Sequence, residues 1–352
     1  MNHRMHILAM AMIGISSCTA ASAKASVALG PAAGYSAFVF GDMTAAADTW
    51  GSVAVGGNAN FSSGYSINAA TAGNAYALVV GGNYIQKSSR INGNMIVGKT
   101  AEYDNPSVNG SLAAQSVRLQ GGGSVSGGVF YSESYSGPSY ITHTQSNHTP
   151  VVPIDFSGSE STLLRDATAW AALTANGMAV SQYSTLTLTG TSSTLDVFDI
   201  TTTELAGIST IRLSVPTGAT PTVLVNVSGS AANIHGGISG FDAASTLWNF
   251  YNANSVTIGG VALTGTLMAT SGKVNFQSGQ VDGSIIAANL NQHAGAEIDA
   301  GSFAGSLPSA SSPPTTIAAG ALSVPSTSAL VGLGSVALAA LVLQRRRTAF
   351  HC

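Results

Sequence analysis

Charged side chains are scarce in this 352-residue sequence, where Asp, Glu, Lys and Arg make up 8% of the chain. A typical soluble protein has about a quarter. When Arg4 and the three arginines near the C-terminus are set aside, 8 basic and 15 acidic residues remain, a net charge of about −7. No basic patch is available, so we expect no nucleic-acid partner. A surface with so few charges has to be built from hydroxyl and amide side chains, which is typical of extracellular β-proteins.

Cysteine is almost absent, because the only two, Cys18 and Cys352, lie at the ends of the chain. The body can therefore contain no disulfide and no thiolate ligand, and its rigidity has to come from packing. His143 and His148 lie in a polar, proline-containing segment, five residues apart and without a cysteine or carboxylate cluster beside them. We interpret them as solvated loop residues, and we expect no metal site and no cofactor.

Glycine, in contrast, is abundant, with 41 residues, and it bounds a short apolar motif that recurs along the chain. Each copy is a run of three to five residues rich in Val and Ile, closed by Gly or Asn. Such a run is typical of a short buried strand between two turns. One strand of this kind cannot bury its apolar face alone, so the strands must stack. The copies are residues 51–58, 78–83, 92–98, 264–269 and 282–287.

The central residues of these strands recur at a nearly regular spacing. In the N-terminal half the steps are 25, 17, 15 and 17 residues, and near the C-terminus they are 20 and 18. This spacing predicts an all-β fold, a parallel β-solenoid (β-helix) whose strands stack at about 4.8 Å. Gly-Gly-Asn and Asn-Gly are then expected at its corners. The central residues are Val55, Val80, Val97, Leu112, Val129, Leu247, Leu267 and Ile285.

One segment of the body has helical periodicity. We predict an amphipathic helix over about residues 158–176, packed along the solenoid, with Ser159 as its N-cap and Gly177 after its end. A broad apolar stripe with Arg165 and Asp166 on the opposite face indicates packing against a scaffold. The stripe consists of Leu163, Leu164, Ala167, Trp170, Ala171 and Leu173.

The N-terminal residues 1–25 have the pattern of a signal peptide. Arg4 precedes an apolar core at residues 7–15, and a small-residue cleavage site ends at Ala23. Two alternatives are open: a buried N-terminal helix, and lipidation of Cys18.

The C-terminal part divides into a linker and an apolar segment. We predict that the solenoid domain covers residues 34–303 and that residues 304–323, rich in Ser, Pro and Ala, form a linker. Residues 329–343 are apolar and would span about 22 Å as a helix, less than the roughly 30 Å hydrocarbon core. Flanking residues would complete the span. The membrane-stop arginines Arg345, Arg346 and Arg347 place the C-terminus in the cytoplasm and the body outside. A buried helix is the alternative.

Several of these stretches together resemble the bacterial choice-of-anchor A family across residues 35–299. They are, in order, residues 38–42, 51–58, 225–229, 247–250 and 264–299. The resemblance implies an exported or surface protein and carries over no catalytic residue. The family pattern often has Ala-Pro late in the domain, where this sequence has Thr270 and Ser271.

The C-terminal residues 324–347 are similar to the PEP-CTERM sorting signal of Gram-negative bacteria: a short motif, an apolar helix and arginines. Val324 and Pro325 match the start of the usual Val-Pro-Glu-Pro motif, whereas Ser326 and Thr327 replace its second half. The resemblance implies attachment at the cell surface and an exosortase-type processing enzyme as a partner.

Together, these patterns predict an exported, cell-surface-tethered structural or adhesive protein that is not an enzyme. Its outward Thr, Ser, Asn and Gln side chains would contact extracellular polysaccharide or another surface or matrix polymer. We expect it at the cell surface or outside the cell, with a membrane contact through the C-terminal helix.

Two alternatives remain open. A β-helix enzyme acting on polysaccharide would need clustered carboxylates. Here Asp196 and Asp199 lie on opposite strand faces, and Lys273 and Asp282 lie singly at turns. An ice-binding solenoid is the other alternative, because residues 185–189 alternate Thr and Leu and would present a row of threonines.

Overall fold

The computed structural model describes residues 29–68, 73–146 and 149–310. Apart from Ala310, these residues belong to one compact unit that ends at Ser309. Within these ranges no helix is long and apolar enough to cross a membrane. Several predictions fall on residues outside the described ranges: the signal peptide, the linker beyond residue 310, the apolar helix at residues 329–343, and Cys18, Ala23, His148, Val324, Pro325, Arg345, Arg346 and Arg347.

The described chain consists mostly of β-strands, and one long helix accompanies them, as predicted. A 3-10 helix, Gly30–Gly34, comes first, and the α-helices are α1, Phe156–Ala171, and α2, Thr202–Ala206. Strands β1 to β13 are, in chain order, Ala37–Val39, Met43–Ala45, Val53–Val55, Ala59–Phe61, Ser66–Ile67, Leu78–Val80, Tyr84–Lys87, Arg90–Ile91, Met95–Asp104, Ser107–Val108, Leu112–Gln120, Ser124–Val125 and Val129–Ser136. Strands β14 to β26 are His143–Gln145, Met178–Gln182, Thr185–Thr189, Leu195–Thr201, Thr210–Ser214, Thr222–Ser228, Ala231–Ser239, Thr246–Asn249, Ser255–Thr264, Thr266–Phe276, Gly279–Asp282, Ile285–Gln292 and Ala296–Ile298.

Parallel pairing organises these strands, and eight of them close into a barrel. Around the ring the order is β1, β3, β6, β9, β7, β4, β2 and β25, and every neighbouring pair is parallel. This corrects the prediction of a simple β-solenoid. The closure arises because β9 and β25 are long. Each pairs with two short strands, one on either side of a corner, and so joins two rows of strands.

We call the row through β1, β3 and β6 the first row and the row through β2, β4 and β7 the second row. Beyond β9, the first row continues through β11, β13 and β14. Beyond β25, it continues through β23, β21, β19 and β17. The N-terminal strand β1 therefore lies in the middle of the row, between strands that are remote from each other in sequence.

The predicted stacking of strand centres is confirmed for most of the repeats. Val55 pairs with Val80 and Val80 with Val97, while Leu112 pairs with Val129. Two predicted steps are shifted. Leu112 pairs with Met95 instead of Val97, and Trp248 takes the place predicted for Leu247 opposite Leu267. A shift of one residue moves a side chain to the other face of the strand, and Leu247 accordingly packs outside the barrel, next to the helix.

The interior of the stack contains a column of aromatic rings. Phe61 and Tyr84 are 5.7 Å apart between ring centroids, and Tyr84 and Tyr103 are separated by the same distance, both in edge-to-face geometry. Such pairs add to the stabilisation from area burial alone. Burial raises the pKa of Tyr84 well above its ordinary value. In register, Tyr84 stands opposite Ala59 and Ala101, so each ring is offset by two residues from the next and the small alanines leave room for it.

Helix α1 covers the outer side of the first row. It begins after Asp155, whose Oδ1 accepts the Gly158 N–H at 3.0 Å, and this cap replaces the predicted Ser159. Hydrogen bonds from Gly158 and from the Ser157 side chain lower the pKa of Asp155. Of the predicted stripe, Leu163, Ala167 and Trp170 are buried against outward apolar residues of the first row. The packing of this helix along the strands is therefore confirmed.

Two stacked asparagines hold the C-terminal turns of α1. Asn226 Nδ2 donates to the Trp170 carbonyl at 3.0 Å, and Asn249 Nδ2 donates to the Ala167 carbonyl at 2.9 Å. The two side chains are also hydrogen-bonded to each other. They supply partners for carbonyl groups near a helix end, which need donors from outside the helix.

The packed part of the chain extends a few residues past Phe303. Phe303 and Leu307 are both buried, and the Trp170 Nε1–H donates to the Pro308 carbonyl at 2.8 Å. The first residues of the segment assigned to the linker therefore pack against α1 and the strands.

Gly81 allows us to test how closely the strands pack at their corners. A Cβ atom at Gly81 would overlap the carbonyl oxygen of Gly56, and one at Gly98 would overlap that of Gly81. We expect Gly81→Ala to lower the free energy of unfolding by about 2 kcal/mol or more, because backbone has to move. Gly122→Ala is the control, since no atom lies within 4 Å of a Cβ placed there. Urea unfolding measures both, and equal stability of the two variants would contradict the close packing.

Candidate functional site

The Gly-Gly-Asn motif forms a corner, and its asparagines make a ladder between neighbouring strands. Asp42 Oδ1 accepts the Asn58 N–H at 2.7 Å, and Asn58 Oδ1 accepts the Asn83 N–H at 3.0 Å. Asn83 Oδ1 accepts the Thr100 N–H at 3.3 Å. Each side chain thus supplies a partner for a backbone group of the next corner. The interpretation of the motif as a structural corner is confirmed.

Beyond β2, the second row continues through β25, β23, β22 and β20. A row of exposed or half-exposed side chains runs along its outer side. In-register pairing places one amide or hydroxyl side chain from each of six neighbouring strands in line. Strand spacing separates successive side chains by about 4.8 Å. We call this set the polar row; its members are, in spatial order, Asn233, Thr257, Asn275, Asn291, Thr44 and Asn60.

The polar row ends where its chemistry changes. Ile85, which is 43% exposed, follows Asn60 in register, and Glu102 and Arg118 come next. Arg118 and Glu102 form a salt bridge of 2.8 Å on the surface. An exposed pair of this kind contributes little to stability. The run of neutral polar side chains therefore ends at Asn60 on this side.

A shallow groove of about 280 Å3 lies at the end of the polar row that includes Asn60. Thr44, Asn60 and Asn291 line it, together with Ser62 and His293. The Thr44 hydroxyl donates to Asn291 Oδ1 at 2.6 Å, and Asn291 Nδ2 lies 3.0 Å from His293 Nε2. The groove thus offers several neutral donors and acceptors and is open to solvent. This arrangement suits a segment of an extended polymer better than an enclosed small molecule.

The carboxylates considered for catalysis do not converge. Asp196 is buried, and its Oδ1 accepts the backbone N–H groups of Thr191 and Ser192. Asp199 lies outside the barrel, where it accepts a hydrogen bond from Asn226. Lys273 stands opposite Asn289, and Asp282 stands opposite Thr264 on another face. Within the described ranges no group of three or more His, Cys, Asp or Glu residues is placed to hold a metal ion.

His143 has a structural role that the sequence did not indicate. Its ring stacks on Tyr135 with 4.1 Å between centroids, and Tyr131 lies beside them. Tyr131 and Tyr135 pack against the interior cluster. Because β14 is the last strand at this end of the first row, the three rings close the end of the core. An aromatic pair four residues apart in β13, Tyr131 and Tyr135, is the sequence signal that could have suggested this.

Of the threonines of β16, considered for ice binding, only Thr185 continues as threonine into the neighbouring strand β18, where it pairs with Thr210. Thr187 pairs with Arg212, and Arg212 pairs with Ser239. The threonine row of β16 is therefore broken at its centre by Arg212, whereas the polar row continues through six strands without a charge.

Comparison with known proteins identifies the family. Residues 28–299 match a family described as "Putative Ice-binding-like adhesive domain". This stretch covers most of the chain, and the protein belongs to this family. Membership indicates a bacterial surface domain of the adhesive class. No curated protein and no solved structure matches the chain. The match names neither a choice-of-anchor A domain nor a PEP-CTERM signal.

Two asparagines two positions apart allow the corner ladder to be tested separately from the polar row. Asn58→Ala removes the acceptor for the Asn83 N–H, so we expect it to lower the free energy of unfolding by about 1 kcal/mol. Asn60→Ala, in the polar row, should change it by less than about 0.5 kcal/mol. Chemical denaturation followed by circular dichroism measures both. A larger loss for Asn60→Ala than for Asn58→Ala would contradict the assignment of these two roles.

Proposed function

We propose that this protein is an exported adhesive that holds extracellular polysaccharide through the polar row and catalyses no reaction. The observation that carries the proposal is the register of six neutral hydrogen-bonding side chains along one open face. Amide and hydroxyl groups can donate to and accept from sugar hydroxyls. An array of this kind is suited to a repeating, uncharged polymer.

The expected strength of binding follows from the number of contacts. One hydrogen bond exchanged with water contributes only about 0.5–1.5 kcal/mol. Several side chains that bind one polymer chain act together, because each contact raises the effective concentration for the next. Since no member of the polar row is charged, we expect binding to depend weakly on salt concentration.

The proposed location depends on the two ends of the chain. A signal peptide cleaved after Ala23 would export the body, and the apolar segment at residues 329–343 would tether it to the membrane. The similarity of residues 324–347 to a PEP-CTERM signal, with Val324 and Pro325 in its motif, supports processing by an exosortase-type enzyme. The choice-of-anchor A resemblance supports the same surface location.

The polar row is tested by removing hydrogen-bonding groups from the part that lines the groove. The triple variant Thr44→Ala, Asn60→Ala, Asn291→Ala should lose at least tenfold in affinity for the polysaccharide that the unchanged protein retains. Co-sedimentation with cellulose, chitin and an insoluble α-glucan measures the affinity. The matched control is Ser66→Ala, Ser107→Ala, Ser124→Ala, on the separate four-stranded sheet of β5, β8, β10 and β12, which should bind like the unchanged protein.

Three results would contradict the proposal. The unchanged protein could bind none of the polymers, or the control triple variant could lose as much affinity as the polar-row variant. Release of reducing sugar from any polymer would overturn the non-catalytic assignment.

Ice is a second candidate ligand, favoured by the description of the family. A flat row of Thr and Asn with a spacing of about 4.8 Å could also order water. The groove at Thr44 and the asparagine-rich composition favour a polymer over a crystal surface. Thermal hysteresis of the purified protein distinguishes the two ligands: we expect none, and a freezing-point gap abolished by the same triple variant would establish ice binding instead.

A further inference from the structure

Strand β15 is an exposed strand at the edge of the sheet. It pairs with β16 in an antiparallel hairpin, and all five of its residues, Met178–Gln182, are exposed. Met178 is 59% exposed, Val180 46%, and Tyr183, in the turn, 93%. Three large apolar side chains therefore face solvent within one hairpin. Neither strand of this hairpin contributes a residue to the polar row.

The geometry of the hairpin shows which backbone groups of β15 point outward. Its loop has two residues, Tyr183 and Ser184, both with positive φ, as in a type I′ turn. The pair that flanks such a loop is hydrogen-bonded, and bonded pairs alternate along the strands. Met178, Val180 and Gln182 are therefore bonded to β16. The N–H and C=O groups of Ala179 and Ser181 point away from it, and no other described residue bonds to them.

Strand β15 lacks the features that normally prevent an edge strand from pairing with another chain. Proteins block such edges with charged side chains, proline, bulges or a covering segment. Residues 178–182 contain no charge and no proline, and their pairing with β16 is regular. Within the described ranges no strand other than β16 pairs with it, and each of its five residues is exposed.

We propose that β15 pairs with β15 of a second copy of this chain, antiparallel about a two-fold axis through Val180. In this register Ala179 of each copy faces Ser181 of the other, and their outward N–H and C=O groups form four hydrogen bonds. Val180 meets its own symmetry mate in a non-hydrogen-bonded pair, in which side chains approach most closely. The two hairpins become one four-stranded antiparallel sheet.

Charge identifies a second copy as the occupant. No charged side chain lies between Asp166 and Asp196, whereas the chain as a whole is acidic. Two acidic copies can therefore meet at the β15 hairpin without bringing like charges of this segment together. A foreign partner attracted by charge would find no charged side chain in the hairpin itself, and the nearest in register is Arg212 of β18. When two identical strands pair about a two-fold axis, the same surface is used on both copies, so one sequence has to be complementary only to itself.

The size of the contact determines its strength. A stable interface buries about 800 Å2 per partner, and a single five-residue strand supplies less. The dimer should therefore be weak as an isolated contact and reversible. At a cell surface, where copies are held close together, effective concentration favours it. The dimer would present two polar rows, but it does not depend on which ligand they bind.

Disulfide trapping tests the pairing at Val180. In the full chain carrying Cys18→Ser and Cys352→Ser, Val180→Cys would place two thiols opposite each other at the two-fold axis, within the range for a disulfide. We expect covalent dimers to form at least tenfold faster than with Val151→Cys, the control. Val151 is 81% exposed and lies outside the hairpin. Equal rates for the two variants would overturn the proposal.

Sedimentation of the full chain without added cysteine provides the second measurement. We expect a concentration-dependent dimer that both Val180→Lys and Ser181→Pro abolish. The lysines would face each other at the axis, and the proline would remove an outward N–H while leaving the bonds to β16 intact. Val151→Lys adds the same charge and should leave the dimer unchanged. A dimer that persists in both hairpin variants, with unaltered thermal unfolding, would overturn the proposal.

Discussion

The close approach of backbone at the corners is the constraint on which the rest of this structure depends. At Gly56, Gly81 and Gly98 the chain turns directly against the backbone of the neighbouring strand, so that a Cβ atom would collide with a carbonyl oxygen. Because no side chain can stand there, the strands that meet at these corners pair in register. The in-register pairing of Val55, Val80 and Val97 follows from this. Asn58 and Asn83 then fix the corner by accepting backbone N–H groups.

Register at the corners has consequences on both sides of each strand. On the inner side, large rings such as Tyr84 and Tyr103 are offset by two residues, meet edge to face and belong to one continuous core. On the outer side of the first row, aligned apolar residues form the surface against which α1 packs. On the outer side of the second row, the same register aligns short polar side chains into the polar row. A binding face built in this way has the spacing of the strands themselves, and it needs no loop to position it.

Local features of the fold could be predicted from the sequence, whereas the arrangement of its strands could not. Apolar runs bounded by glycine predicted the strands, and the stripe through Leu163 and Trp170 predicted the helix and its buried side. Nothing local showed that β1 lies between β3 and β25, because that pairing joins segments almost 250 residues apart. The polar row was not predicted for the same reason. Thr44 and Asn291 are neighbours only after the remote strands have met, and isolated asparagines and threonines carry no sequence signal.

Footprinting of the bound polymer tests most directly whether the aligned polar row is the adhesive surface. Hydrogen–deuterium exchange of the protein, measured with and without the polysaccharide that it retains, reports which strands become protected. The account predicts protection of the segments that contain Thr44, Asn60, Asn275 and Asn291, which are remote in sequence and adjacent on the surface. Protection of the sheet formed by β5, β8, β10 and β12, with the segments of the polar row unchanged, would contradict it.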